Sequence, residues 1–216
     1  MISFTIEPQW QELLRENGLA DFETLVRFSA GECLSHHSRG QTYRHHLKNG
    51  QVVFIKQDNY TKWQIILRSL LRGKRPEPNT EKERQCYLLA ERHGFRVVQV
   101  IAYGQERRFG LPGRAVIVTI PVEGVPLDKF CKSCPDAQRR QQAIANAEAV
   151  LKRLQDCGLD WTKDCKPEHF FVSEKDLSIS LIDLERLRDR GRPLSEERRK
   201  MQFDRFRSLL PPPSSP

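Results

Sequence analysis

Hydrophobic positions along this chain change their period several times, and each change marks an element. From Glu7 to Ala20 the apolar residues Trp10, Leu13 and Leu14 recur at helical spacing, with Gly18 as a stop, which predicts a short amphipathic helix. Asp21 stands where an N-cap would, ahead of Phe22, Leu25, Val26 and Phe28, and predicts a second helix. The segment GQTYRHHLKNGQVVFIKQ reads as a hairpin. One strand begins at Tyr43, Asn49-Gly50 is a two-residue turn signal, and Val52–Lys56 is the return strand. Trp63–Leu71 is helix-like with basic flanks, and RGKRPEPN breaks it. Glu81–His93 then forms a helix with Cys86, Leu88 and Leu89 inward and Gly94 just past its end. Two strands, Val97–Tyr103 and Ala115–Ile120, precede a linker-like PVEGVP.

The second half opens with a long helix from about Asp136 to Cys157. Its inward stripe is Ile144, Ala147, Val150, Leu151 and Leu154, and Gly158 ends it. A loop follows, then a strand at His169–Val172, a turn near Ser173–Lys175, a strand at Ser178–Ile182, and Asp183. Charged residues continue to LPPPSSP, whose composition predicts disorder. No segment repeats. The pattern predicts an α+β chain with a β-rich first domain over 1–121, a mostly helical second domain over 122–205, and a disordered Pro/Ser tail over 206–216.

Composition changes this picture only in its charge. With 38% hydrophobic and 30% charged residues among 216, the chain is an ordinary globular sequence large enough for a core. Its formal charge of +8 favours an anionic partner, whether phosphorylated substrate, anionic membrane or nucleic acid. Zinc-finger spacing, RNP-like aromatics and helix-turn-helix signatures are missing, so no nucleic acid is expected as partner. No apolar run approaches the ~20 residues of a membrane span. The N-terminal MISFTIEPQWQELL has neither the basic nor the apolar region of a secretory signal. Six cysteines without export signals read as reduced thiols of a cytoplasmic protein.

Five residues fall in an order that carries chemistry. Lys56 ends an apolar strand, Glu83 follows near a helix start, and Asp164, His169 and Asp183 surround the late hairpin. In phosphoryl transfer a strand lysine supplies fixed positive charge to phosphates, and hard carboxylate oxygens suit Mg²⁺. An aspartate beside the acceptor hydroxyl positions the nucleophile. Each residue also has a plain structural reading. Lys56 could be a solvated strand end and Glu83 an exposed helix residue, with Glu81 a rival partner for the lysine. Asp164 could cap a turn beside Pro167, and His169 could be a packing histidine.

Six ordered motifs, RGQTYR (39–44), VVFIKQ (52–57), EKERQCYLLAERHGF (81–95), IAYG (101–104), KDCKPEHFFV (163–172) and LIDLER (181–186), together resemble the bacterial lipopolysaccharide core heptose/Kdo kinases, which include InaA-type proteins. The resemblance covers roughly residues 38 to 190. It implies a protein-kinase-like two-lobed fold with a small β-rich N-lobe and a reduced, mostly helical C-lobe. The activity implied is ATP- and Mg²⁺-dependent phosphorylation of a core sugar hydroxyl at the cytoplasmic face of the inner membrane. Asp164 would be the catalytic base, Lys56 with Glu83 the phosphate clamp, and His169 with Asp183 the metal site. Thr119 to Val122 would be the adenine hinge, and Gly40 is what remains of a phosphate-covering glycine loop. The chain departs from the family pattern at Thr162-Lys163, where the family has His-Arg, and at Glu185, where it often has His. Those departures keep open a non-catalytic, kinase-like binding protein, and a kinase for another small-molecule or protein acceptor.

Three further signals have weaker readings. CKSC (131–134) has CxxC spacing but no second ligand pair at zinc-site distance. His36-His37 and His45-His46 read as loop and strand-surface residues. KWQIILRSLLRGKR (62–75) reads either as a core-facing helix or as a surface for peripheral contact with an anionic membrane.

Overall fold

The structure, a computed structural model, describes residues 1–211. The chain divides into two compact units, Met1–Gln85 with Gln99–Pro121, and Cys86–Val98 with the chain from Val122 onward. A single boundary after residue 121 therefore misplaces residues 86–98.

The first unit is built on strands β1 (Ile2–Ile6), β2 (Glu32–His37), β3 (Gly40–His46), β4 (Val52–Asp58), β5 (Gln99–Arg108) and β6 (Leu111–Ile120). They form one antiparallel sheet in the order β1-β5-β6-β4-β3-β2. Alternation works as expected in β4, where Val53 and Ile55 are fully buried. They pack with Leu14, Leu25, Ile101, Val116 and Val118 into the unit's core. Helices α1 (Gln11–Glu16) and α2 (Phe22–Val26) supply Leu14, Phe22 and Leu25 to that core. Asp21 caps α2, its Oδ1 accepting the amides of Glu23 and Thr24 at 2.9 and 3.2 Å.

Three expectations need correction here. The first helix is only α1, preceded by a 3₁₀ turn at Pro8–Trp10, because Pro8 fits a first helical turn but not an interior one. Strand β1 lies ahead of it, unread, and pairs with the outer side of β5. Strands β5 and β6 run on to a turn at Phe109-Gly110, both with positive φ. The polar run between them hid a continuous hairpin whose charges pair with one another. Arg114 bonds Glu23 and Glu106, and buried Arg107 bonds the carbonyls of Gly110 and Pro76.

Helix α3 (Trp63–Leu71) has no buried residue, so it is not a core-facing helix. Helix α4 (Asn79–Arg92) begins two residues before the expected start and belongs to the first unit as far as Gln85.

The second unit contains strands β7 (Val125–Pro126), β8 (Leu159–Asp160), β9 (Phe170–Val172), β10 (Ile179–Leu181) and β11 (Arg188–Asp189), with helices α5 (Leu127–Ser133), α6 (Ala137–Asp156) and α7 (Glu196–Ser208). Residues 86–98 belong here because Leu181 donates to the carbonyl of Arg96, and Arg153 of α6 donates to the carbonyls of His93 and Gly94. PVEGVP is more than a linker, since β7 pairs with β9. Gly124 there approaches so closely that a Cβ would lie 2.2 Å from the Val172 carbonyl oxygen.

The α6 stripe is Ala143, Ala147, Leu151 and Leu154, shifted from the expected set, with Ile144 and Val150 only half-buried. Trp161, Phe170 and Phe206 form the aromatic centre of this unit, the first pair tilted and the second edge-to-face, with centroids 5.3 and 5.0 Å apart. Burial of Phe206 contradicts a tail that is disordered from residue 206, because α7 continues to Ser208 around it. The rest of that expectation, residues 212–216, lies outside the described residues. CKSC is part of α5 and its C-cap, with Cys131 buried, and none of the six cysteines is in a disulfide. Among the described residues no helix is long and apolar enough to cross a membrane.

Candidate active site

In the first unit, β4 alternation turns Ile55 into the core and Lys56 to the opposite face, where it is half-buried. Its Nζ lies 2.5 Å from Glu83 Oε2. Glu83 is only 7% exposed. The rival, Glu81, instead holds Arg84 through two bonds of 2.8 and 2.9 Å.

A residue that sequence reasoning missed fixes the helix behind this pair. Asp58, at the end of β4, is buried and accepts the Thr80 amide of the first turn of α4 at 2.7 Å. Burial pushes its carboxyl above the usual range, while the Thr80 bonds pull the other way. An Asp two residues after the strand lysine is the signal that could have found it.

Gly40 faces the sheet more than any ligand. A Cβ there would come within 2.0 Å of the Gln57 carbonyl oxygen, so close strand approach requires the glycine. Ser38 and Arg39 connect β2 to β3, where a glycine-rich loop would have no side chains. Thr119 lies in β6 opposite Phe54 and Val100, and Val122 opens the second unit.

In the second unit, backbone pairing gathers the other three residues. Ile182 donates its amide to the His169 carbonyl at 3.1 Å, which places Asp183 beside the histidine. His169 ends a 3₁₀ turn, Pro167–His169, and does not begin a strand as expected. Its Nδ1 lies 2.8 Å from the Asp164 carbonyl oxygen, and its Nε2 lies 3.5 Å from Asp183 Oδ2. A carbonyl can only accept, so Nδ1 donates its proton there, and Nε2 is the ring nitrogen that faces the Asp183 carboxylate. Trp161 packs beneath the ring, 5.9 Å away. Asp183 has φ +53°, tolerable for Asp, and its carboxylate is about half exposed.

Asp164 Oδ2 is 3.1 Å from Arg186 Nε. The arginine holds one of the two carboxylate oxygens. Thr162, two residues earlier, has φ +54°, a rare conformation for a β-branched residue. Its amide is held at 2.9 Å by Asp160 Oδ1. No three His, Cys, Asp or Glu side chains converge as a metal cage among the described residues.

The lipopolysaccharide kinase (Kdo/WaaP) family profile matches residues 30–209. The chain belongs to that family. Membership makes it a phosphotransferase of the lipopolysaccharide kinase class, and ATP use goes with that class. Among solved structures, that of WaaP in complex with acyl carrier protein is similar, with a TM-score of 0.68 at 20% identity over 95% of this chain and 80% of WaaP. The fold is therefore protein-kinase-like. No curated protein sequence matches.

Proposed function

We propose that this protein is an ATP- and Mg²⁺-dependent kinase that phosphorylates a sugar hydroxyl of the lipopolysaccharide core at the cytoplasmic face of the inner membrane. The observation that carries this reading is the Lys56–Glu83 pair at 2.5 Å, the arrangement a phosphate clamp needs. The glutamate sets the direction of a flexible lysine, whose charge then meets the nucleotide phosphates. Thr119 to Val122 would contribute backbone groups to adenine. Gly40 would contribute only backbone, with Ser38 and Arg39 beside it.

Asp164 is the residue assigned to the acceptor. Its free oxygen accepts the hydroxyl proton as the oxygen attacks, while Arg186 keeps the carboxylate in place. Asp183 fits Mg²⁺ as its hard carboxylate donor, since this ion is commonly held by one or two carboxylates together with substrate phosphates, and His169 would stand beside it as a second, nitrogen donor. Bound there, Mg²⁺ would neutralise phosphate charge. A pocket of about 260 Å³, lined by Asp128, Lys166, Glu168 and Arg205, opens on the loop between Asp164 and His169. Asp128 Oδ1 is buried there without a hydrogen-bond partner, as a group awaiting a sugar hydroxyl would be.

Helix α3 supports the membrane part of the reading. Trp63, Leu67, Leu70 and Leu71, spaced to share one face, are 46–79% exposed. Lys62, Arg68, Arg72, Lys74 and Arg75 surround them, with no acidic residue between Asn59 and Pro76. That combination suits an anionic lipid surface, where a lipid-anchored acceptor would lie.

Transfer of label from γ-labelled ATP to dephosphorylated lipopolysaccharide tests the proposal. The wild type is expected to label it, and Asp164→Asn and Asp183→Ala are not.

A further inference from the structure

At the foot of the loop that carries Asp164 lies a second cluster of charge that the kinase reading does not use. Asp160, in β8, is 1% exposed. Its Oδ2 accepts from Arg190 Nε and Nη2 at 3.0 and 2.7 Å, and from Arg198 Nε at 3.2 Å. Its Oδ1 accepts from Gln202 and from the Thr162 amide. Burial alone would raise this carboxyl, but the Arg190, Thr162 and Arg198 bonds outweigh it and hold the group below the usual range. Asp160 is ionised at neutral pH and holds two guanidinium groups.

Charge here does not balance. Arg190, Arg198 and Arg192 line an open pocket of about 680 Å³, together with Ser195, and Asp160 is its only carboxylate. Three positive charges against one negative leave a surplus of two. Arg192 has no hydrogen-bond or ion-pair partner among the described residues. Arg190 uses Nε and Nη2 on Asp160 and keeps Nη1 unengaged. Like charges held together around a cavity cost energy unless an anion joins them. The guanidinium groups fixed by Asp160 lose little freedom when one does.

We propose that this pocket is a binding site for a phosphate monoester, whose two negative charges match the surplus and whose oxygens suit planar guanidinium donors. The anion would contact Arg192 and the free Nη1 of Arg190, with Arg198, held on Asp160 and Met201, adding its charge from the pocket wall. Its occupancy would bear on the loop, because the same Asp160 carboxylate holds the amide of Thr162 in its positive-φ conformation, two residues before Asp164. The site would therefore link a bound phosphate to the geometry of the aspartate assigned as base.

Calorimetric titration of the full chain, with its nucleotide site saturated by a non-hydrolysable ATP analogue, tests this. Inorganic phosphate and glucose 1-phosphate are the two probes, and Arg192→Glu is the variant. The wild type should bind one equivalent of either. Arg192→Glu should weaken binding about tenfold or more while its melting temperature stays unchanged, because that side chain supports nothing else. Tighter binding of glucose 1-phosphate would identify a phosphorylated sugar as the source, and equal binding would identify phosphate itself. Equal affinity in wild type and Arg192→Glu, or no binding up to about 10 mM, would overturn the proposal and leave the cluster as structural ion pairs. The titration involves no transfer, so it stands whether or not the chain phosphorylates lipopolysaccharide.

Discussion

Replacing Glu83 by glutamine keeps the side-chain volume and removes the charge that meets Lys56. The pair is 2.5 Å long, with the glutamate side chain 9% and the lysine side chain 32% exposed. A charge-assisted bond of this kind is worth about 1.5–3 kcal/mol when well shielded. Water around a third of the lysine screens it, so the expected loss is about 1–2 kcal/mol. For a chain of this length that corresponds to a fall in Tm of about 2–8 °C. Catalysis should suffer more than stability. A lysine no longer aimed at the phosphates can cost up to about 100-fold in kcat/KM for ATP. Scanning fluorimetry and steady-state kinetics at varied ATP read both quantities on one preparation. A lower Tm with unchanged kcat/KM would show that the pair holds the fold and not the nucleotide. If neither quantity moved, Lys56 would be a solvated strand end, and the clamp reasoning would fail.

Other consequences follow from the second unit. Thr162→Gly removes a β-branched side chain from φ +54° and should stabilise the protein by up to about 1 kcal/mol in denaturant unfolding. Asp160→Asn leaves Arg190 and Arg198 without their counter-charge and should cost about 3 kcal/mol at pH 7. The folded-state pKa of Asp160 lies below its ordinary 3.8, so its contribution is present above that value and fades as pH falls through the folded pKa. Wild type and Asp160→Asn should therefore converge in stability toward acid pH, as urea melts at successive pH values would show. Asp183→Ala should abolish the Mg²⁺ dependence of nucleotide binding in calorimetry while leaving far-UV circular dichroism unchanged.

Much of the fold was legible because its signals are local. Asn49-Gly50 marked the β3–β4 turn, Asp21 capped α2 as read, and the apolar run of β4 ended on Lys56. What escaped depends on partners distant in sequence. Strand β1 is half-exposed and gains its place only by pairing with β5, a hundred residues later. The β5–β6 hairpin is closed by Phe109-Gly110 and lined with Arg–Glu pairs, so its polarity concealed a strand. Helix α7 has almost no amphipathic pattern, and one aromatic, Phe206, anchors it to Phe170.

The candidate site shows the same division. Motif order pointed to Lys56, Glu83, Asp164, His169 and Asp183, and two contacts, the Ile182 amide to the His169 carbonyl and His169 Nδ1 to the Asp164 carbonyl, bring the last three together. Arg186 and Asp160 act through side-chain ion pairs with partners distant in sequence, and nothing in their sequence neighbourhood distinguishes them from other charged residues.

Asp164 is the residue we assign to the acceptor of a phosphoryl transfer. The most direct test of that assignment is a single-turnover assay with γ-labelled ATP, Mg²⁺ and dephosphorylated lipopolysaccharide, comparing wild type with Asp164→Asn. Label on lipopolysaccharide is expected with wild type, a loss of about 10²–10⁴-fold with the variant, and equal nucleotide affinity in both. Equal labelling by the two proteins, or none by a wild type that binds ATP, would contradict it.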